Sequence, residues 1–362
     1  MNFYKTISKI TLSSLLIFST SCSEEPKESI SDYSIPSSFN FSNASYGGQT
    51  DRLNMLSELE SYLKTANSGG VVDAAVAKAM YANDGYNWTS DAFALGQPTK
   101  DLKSKTFDSQ QAVVEGLIDQ LAELTAAGTA LTVSADGEDS YMCDENGMEP
   151  IQLISKGIMG SCFYYQGTSV YLSATKMDVD NDVSALTTDL EYTDMQHHWD
   201  ESFGYFGAPK EFSIANTEGA SFWAKYAKKT INGGLETIDN IMNDGFILGR
   251  AAIDNSDITT RDGAISTIQT EWEMITVCAA LHYLNGAIQD IADPALRNHQ
   301  LSEAIAFISA IRYNAQAAIP SSLVDSIIDN LGSNLNLVTP EMVNDTRTAL
   351  ANAFGITNAT EY

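Results

Sequence analysis

Ile268-Gln269-Thr270-Glu271-Trp272-Glu273-Met274-Ile275-Thr276-Val277-Cys278-Ala279-Ala280-Leu281-His282-Tyr283 carries apolar or aromatic side chains at 268, 272, 275, 279 and 283. Steps of three and four residues are the period of one helical face. The same spacing recurs in Leu53-Met55-Leu56-Leu59-Tyr62-Leu63, in Val113-Leu117-Leu121-Leu124 and in Ile151-Ile154-Ile158-Cys162-Tyr165. Alternating β-branched runs are scarce, the best being 130–134, so the spacing predicts an all-α fold. Pro320-Ser321-Ser322 should open one helix, Pro340-Glu341 should sit in the first turn of another, and Pro209 should end a third. Asn232-Gly233-Gly234 reads as a helix break, and 136–147 and 176–189 read as loops.

Two segments repeat a pattern. Met195-Gln196-His197-His198-Trp199-Asp200-Glu201 and His299-Gln300-Leu301-Ser302-Glu303 each place a glutamate four residues after a histidine, and each follows a long apolar helix, Ile151 to Leu172 and Ile268 to Ile291. Residues four apart share a helical face, so His197 can meet Glu201 and His299 can meet Glu303; His198 with Glu201, three apart, forms a competing pair. If the helix pairs are an internal repeat, two antiparallel pairs would close a four-helix bundle and bring both imidazoles and both carboxylates to one point. Such a mixed nitrogen and oxygen set suits iron, zinc or manganese. Glu149, Gln152, Glu271 and Glu273 on the facing helices could complete it. The competing explanation is two amphipathic helices whose His–Glu pairs are hydrogen-bonded and nothing more. His282 fits a satisfied core histidine, and Trp199, Phe203, Tyr205 and Phe206 fit a core rather than a stacking platform. Asp178-Val179-Asp180-Asn181-Asp182 resembles half of a calcium loop, but Val183 stands where the turn wants glycine and Asp189 where the loop wants glutamate, which leaves a solvated acidic loop.

The compartment is written at the start of the chain. Lys5 and Lys9, the apolar run from Ile10 to Phe18 and the small residues Ser19-Thr20-Ser21 before Cys22 have the layout of a signal peptide over 1–21. The run ending at a cysteine resembles a lipobox, making Cys22 the lipidated first residue, and 22–45 a flexible tether rich in acidic residues and serine. Ser23-Glu24-Glu25 after that cysteine looks like a surface-export signal, against which stands a periplasm-facing anchor. Twenty Lys and Arg against 47 Asp and Glu give the 362-residue chain a formal charge of −27, which becomes −29 without the leader's two lysines. Nucleic acid is therefore not an expected partner. Cys143, Cys162 and Cys278 allow at most one disulfide and match no CxxC spacing. HExxH, GxSxG, phosphate-loop and CxxCH motifs are absent from the sequence.

Several separated strings carry a family resemblance: Ser45-Tyr46-Gly47-Gly48-Gln49-Thr50-Asp51-Arg52-Leu53, Lys156-Gly157-Ile158-Met159-Gly160, HHWDESFGYFGAP from His197, Phe246-Ile247-Leu248-Gly249-Arg250-Ala251-Ala252-Ile253, and Leu301-Ser302-Glu303-Ala304-Ile305-Ala306-Phe307. Together they resemble the bacterial lipoproteins grouped as domain of unknown function 4856, over most of 33–320. That group is similar to imelysin-type proteins, which are helical, built from two bundle halves and implicated in iron uptake. The imelysin signature is Gly-x-His-x-x-Glu; His198 and Glu201 match its end, while Gln196 replaces the glycine. The resemblance implies a helical domain over 46–362, with halves near 46–190 and 191–362. It implies an outer-membrane lipoprotein, on the periplasmic or the surface face, that binds iron or an iron-containing ligand in an uptake system, beside a TonB-dependent receptor or an imelysin. His197, His198, Glu201, His299 and Glu303 would hold the metal, with iron favoured over zinc. The want of a nucleophile suits capture rather than turnover. Two alternatives remain: a zinc-dependent, peptidase-like hydrolase using Glu201, and a structural or adhesive surface protein without metal.

Overall fold

The apolar spacings wind into helices along most of the described chain, residues 33–362 of this computed structural model. Gly47–Lys64 (α1), Ala74–Ala82 (α2) and Asp108–Ala126 (α3) come first. An antiparallel hairpin of Thr132–Val133 (β1) and Ser140–Tyr141 (β2) follows, with Thr132 opposite Tyr141. Pro150–Ile158 (α4) runs on through two π-helical stretches, Met159–Tyr164 and Gln166–Val170, as one long rod. Next are Ala174–Met177 (α5), Asp194–Phe206 (α6), Phe222–Ala227 (α7), Lys229–Asn232 (α8) and Thr237–Asp239 (α9). π-Helical Asn240–Ile247 leads into Leu248–Asp254 (α10); Ile258–Gln289 (α11), Pro294–Ala310 (α12), Ser321–Asp329 (α13) and Pro340–Ala353 (α14) complete the order. The expected all-α class holds, the hairpin being the one small sheet among the described residues.

Local chemistry sets the helix ends. Asp257 accepts from the Thr260 N–H to start α11, and Asp293 accepts from Ala295 and Leu296 to start α12, where Pro294 occupies the first turn. Pro320 and Pro340 open α13 and α14 as their positions foretell. Pro209 does not end α6: the helix stops earlier, at Gly207, whose φ of +80° is left-handed. Residues 268, 272, 275 and 279 of α11 are fully buried. With them lies an aromatic core in which Trp272 contacts Phe206, Phe246 and Trp223 at ring separations of 5.0 to 6.3 Å. Trp199, Phe203, Tyr205 and Phe206 are all inaccessible to solvent, which fits the core role expected of them.

Residues 35–362 form one compact unit. Part of the expected tether belongs to it. Phe39 is buried and stacks on Phe203 at 3.7 Å, while its N–H donates to the Lys210 carbonyl. The serine- and proline-rich composition of this stretch hides two phenylalanines, and burying them outweighs the ordering of a few polar neighbours. The signal peptide over 1–21, Cys22 and the tether up to residue 32 lie outside the described residues.

The arrangement of the long helices decides where the His–Glu segments go. α12 packs along α11 and against α4 and the first π-helical stretch, whereas α6 packs on the π-helical end of the same rod, on α1 and on α10. Close approach is bought with glycine: a Cβ at Gly160 would stand 2.7 Å from that of Ala310, and one at Gly167 would stand 2.6 Å from Trp272. α6 and α12 thus share the 159–164 stretch of the rod, α12 extending its contacts toward α4 and α6 toward 166–170.

Candidate functional site

α6 is positioned by a reciprocal cap. Thr193 Oγ1 accepts from the Gln196 N–H at 3.1 Å, and Gln196 Oε1 accepts from the Thr193 N–H at 2.9 Å. Gln196 Nε2 then donates to Asp254 at 2.6 Å, which ties α6 to α10. Gln196 therefore has a structural task of its own, closing the cap of α6 and fastening it to α10. One turn on, fully buried Asp200 accepts from Arg250 Nε at 3.0 Å and from the Ser45 N–H at 2.9 Å. Arg250 also pairs with Asp254 and donates to Asn43. Those contacts hold segment 43–49 against α6.

Between α1 and α6 they leave a polar pocket of about 380 Å³. His197 Nε2 faces Glu201 at 4.0 Å, its Nδ1 lies 3.0 Å from the Ser45 carbonyl, and its ring stacks on Tyr192 at 4.6 Å. Glu201 accepts from Gln49 Nε2 at 2.8 Å. Opposite stand Arg52, Lys100 and Lys105. Arg52 is held by main-chain oxygens of Asp101 and Gly48, and Lys105 lies 3.3 Å from the Tyr171 hydroxyl. Among the described residues, none of the three cations forms an ion pair. Burial, then the neighbouring Arg52, lowers the Lys105 pKa. The first turn of α1, with Gly47 and Gly48 and no side-chain cap, also lines the pocket, adding unpaired N–H groups and the positive end of the helix dipole.

His299 and Glu303 line a different cavity, of about 490 Å³, which shares no residue with the first. Here Nε2 faces Glu303 at 3.9 Å and the ring stacks on Tyr141 at 4.3 Å, but Nδ1 meets the fully buried carboxylate of Glu149 at 2.6 Å. Burial opposes a charged ring; the Glu149 hydrogen bond and charge outweigh it, so the His299 pKa stands above its ordinary value. Lys156, itself buried, lies 3.4 Å from Glu303 and 3.5 Å from Glu60.

The expected four-ligand centre is therefore not assembled: the two His–Glu pairs line separate cavities that share no residue. Among the described residues no group of three or more His, Cys, Asp or Glu side chains converges as metal ligands do. His198 turns away from Glu201, with Nδ1 2.8 Å from the Lys176 carbonyl and Nε2 3.3 Å from the Lys176 ammonium, and burial lowers its pKa. Of the supporting carboxylates, Glu149 does join His299, whereas Glu271 accepts from Asn240 and Glu273 from the Ala318 N–H. Burial pushes the Glu273 carboxyl up to about 7. His282 is partnered as expected, by Lys229 at 2.8 Å. In the acidic loop Asp182 caps Ser184 and Asp178 faces Arg261, so its carboxylates serve turns and an ion pair. The three cysteines are free and buried, their thiols pushed up to about 12 by burial.

Sequence reasoning missed Arg52, Lys105, Tyr171 and Tyr192, which reach the first pocket from four separate segments. The Thr193-x-x-Gln196 cap was legible in the sequence but unread.

An all-α body with two polar cavities, each centred on a His–Glu pair of one helix, defines the class of protein. The family model described as Domain of unknown function (DUF4856) matches residues 36–357, and the chain belongs to that family. No curated protein and no solved structure matches it. Among the described residues no helix is long and apolar enough to cross a membrane.

Proposed function

We propose that this protein is a binding protein, anchored by lipid at Cys22 to the outer membrane, that captures iron as an anionic chelate in the pocket between α1 and α6. One observation carries the anionic part: Arg52, Lys100, Lys105 and the start of α1 converge on a single cavity in a chain of formal charge −27. Three cations without ion-pair partners repel a bare metal ion at this distance and attract a carboxylate- or hydroxamate-rich complex. Tyr192, stacked on His197, and Tyr171, with Lys105 over its ring, complete the wall, and His197 and Glu201 offer a hydrogen-bonding edge. The resemblance to imelysin-type proteins supports iron as the cargo and an uptake system as the setting, with a TonB-dependent receptor or an imelysin as partner.

Calorimetry with ferric citrate, and with citrate alone, tests the reading on the mature chain. Ferric citrate should bind, and an Arg52→Ala/Lys105→Ala double variant should weaken it by roughly a hundredfold, about 2.7 kcal/mol. Binding equal in the double variant removes the pocket assignment. Citrate binding as tightly as its ferric complex keeps the anion site and removes iron.

A further inference from the structure

The cavity around His299 is lined by Glu60, Glu138, Asp139 and Glu303 together with Lys64, Lys156 and Lys225, a mixed set that the iron-chelate reading leaves unused. Its buried wall carries two acceptor atoms with no hydrogen-bond partner, Glu303 Oε2 and Gln152 Oε1, on side chains 4% and 2% exposed. The Gln152 amide is oriented by its own donor, since Nε2 faces Glu149 Oε1 at 3.5 Å, which turns the carbonyl the other way. Glu60 is paired with Lys64 at 2.6 Å and with Lys156, and Lys156 also serves Glu303, while His299 is committed to Glu149 behind the wall. Among these contacts Glu303 Oε2 and Gln152 Oε1 are left without a donor. Orphaned buried acceptors are rare in folded proteins because each forfeits its hydration without return.

We propose that this cavity binds the primary ammonium or guanidinium group of a small organic cation, with Glu303 Oε2 and Gln152 Oε1 as its acceptors. The group brings N–H donors to the two oxygens that lack them, and positive charge to the Glu303 carboxylate. Tyr226 and Tyr283 line the same cavity, and the Lys156 ammonium 5.9 Å from the centre of the Tyr226 ring is a cation already held beside an aromatic wall. An anion would meet the Glu303 carboxylate directly. A bare metal ion would find too few ligands and the Lys156 ammonium beside them. The cavity volume of about 490 Å³ suits a ligand the size of a diamine or an arginine derivative.

Calorimetry on the mature chain with 1,5-diaminopentane and agmatine, and with glucose as a neutral donor, tests this. Both cations should bind and glucose should not. Glu303→Gln, which keeps the shape and removes the charge, should weaken binding at least about tenfold, and Gln152→Leu should weaken it severalfold. The Arg52→Ala/Lys105→Ala variant should bind the amines unchanged, so failure here is distinct from failure of the iron reading. In proton–nitrogen spectra the His299 ring signals should shift on amine addition while those of His197 stay. Should Glu303→Gln lose its circular dichroism signal, Gln152→Leu and the His299 shifts decide. Absence of binding by either amine, meaning that water alone serves the two oxygens, overturns the proposal. So does binding unaltered in both variants, or binding of glucose in their place.

Discussion

The two His–Glu pairs are alike within their own helices and different in their surroundings. In both, Nε2 faces a glutamate four residues on at about 4 Å, and the ring stacks on a tyrosine with an interplanar angle of 17°. What differs is what the rest of the molecule brings. His197 rests on a main-chain carbonyl in a pocket where Arg52, Lys100 and Lys105 outnumber Glu201; His299 rests on a buried carboxylate in a cavity where glutamates are paired with lysines. One local motif thus stands beside an arginine and two lysines in one place and among mixed carboxylates and lysines in the other. A spacing of four residues specifies that two side chains meet, while the field they meet in comes from helices remote in sequence.

Three substitutions probe that contrast, beginning with the largest effect, and a fourth away from both cavities serves as its control. Arg250→Ala strips the buried Asp200 of its partner and loosens segment 43–49, so urea denaturation should show a loss of about 3–5 kcal/mol together with loss of ferric citrate binding; the His299 cavity should bind its amine as before. Glu149→Gln acts on the other side and should cost about 1.5–3 kcal/mol near pH 6. The sign follows from the raised His299 pKa. Its stabilisation is complete below the ordinary histidine value near 6.5 and disappears as pH rises through the folded-state value. The penalty for Glu149→Gln should therefore shrink toward alkaline pH, and a penalty that grows with pH would contradict the charge-assisted bond. Gly204→Ala places a Cβ 2.7 Å from that of Tyr46 and 2.8 Å from that of Gln49, pushing α1 off α6. A loss of roughly 1–3 kcal/mol and a weakened first pocket should follow.

Glu273→Gln, remote from both cavities, should stabilise by about 1–2 kcal/mol at pH 8 and have little effect at pH 4. The wild-type carboxyl, raised to about 7, contributes stability below its unfolded value near 4.5 and loses it as pH rises through 7. Equal stability of the two proteins at pH 8 would mean that Glu273 is better solvated than its burial implies.

Much of the fold was legible because its helices carry their own signals. The apolar stripe of α11, the aspartates that cap α11 and α12, and the prolines before α13 and at the head of α14 all act within a few residues, where spacing alone is informative. The candidate site was legible only in its helical half. His197, Glu201, His299 and Glu303 could be picked from the sequence as pairs, and Glu149 as a supporting carboxylate. That His198 would turn to Lys176 depended on α5, and that the pairs would line separate cavities depended on the packing of the helices. The glutamine at 196 reads as a flaw in a motif until its cap to Thr193 and its bond to Asp254 are seen.

By itself, then, the sequence determined a helical chain of strong negative charge, the starts of α13 and α14, and two turns on which a histidine meets a glutamate. Those are consequences of covalent spacing and of the helical period. Only the tertiary structure decided that the two turns serve separate cavities and which charges surround each. Arg52, Lys105, Glu60 and Lys156 are brought there from afar, and electrostatic character depends on distance in space, for which distance along the chain is no guide.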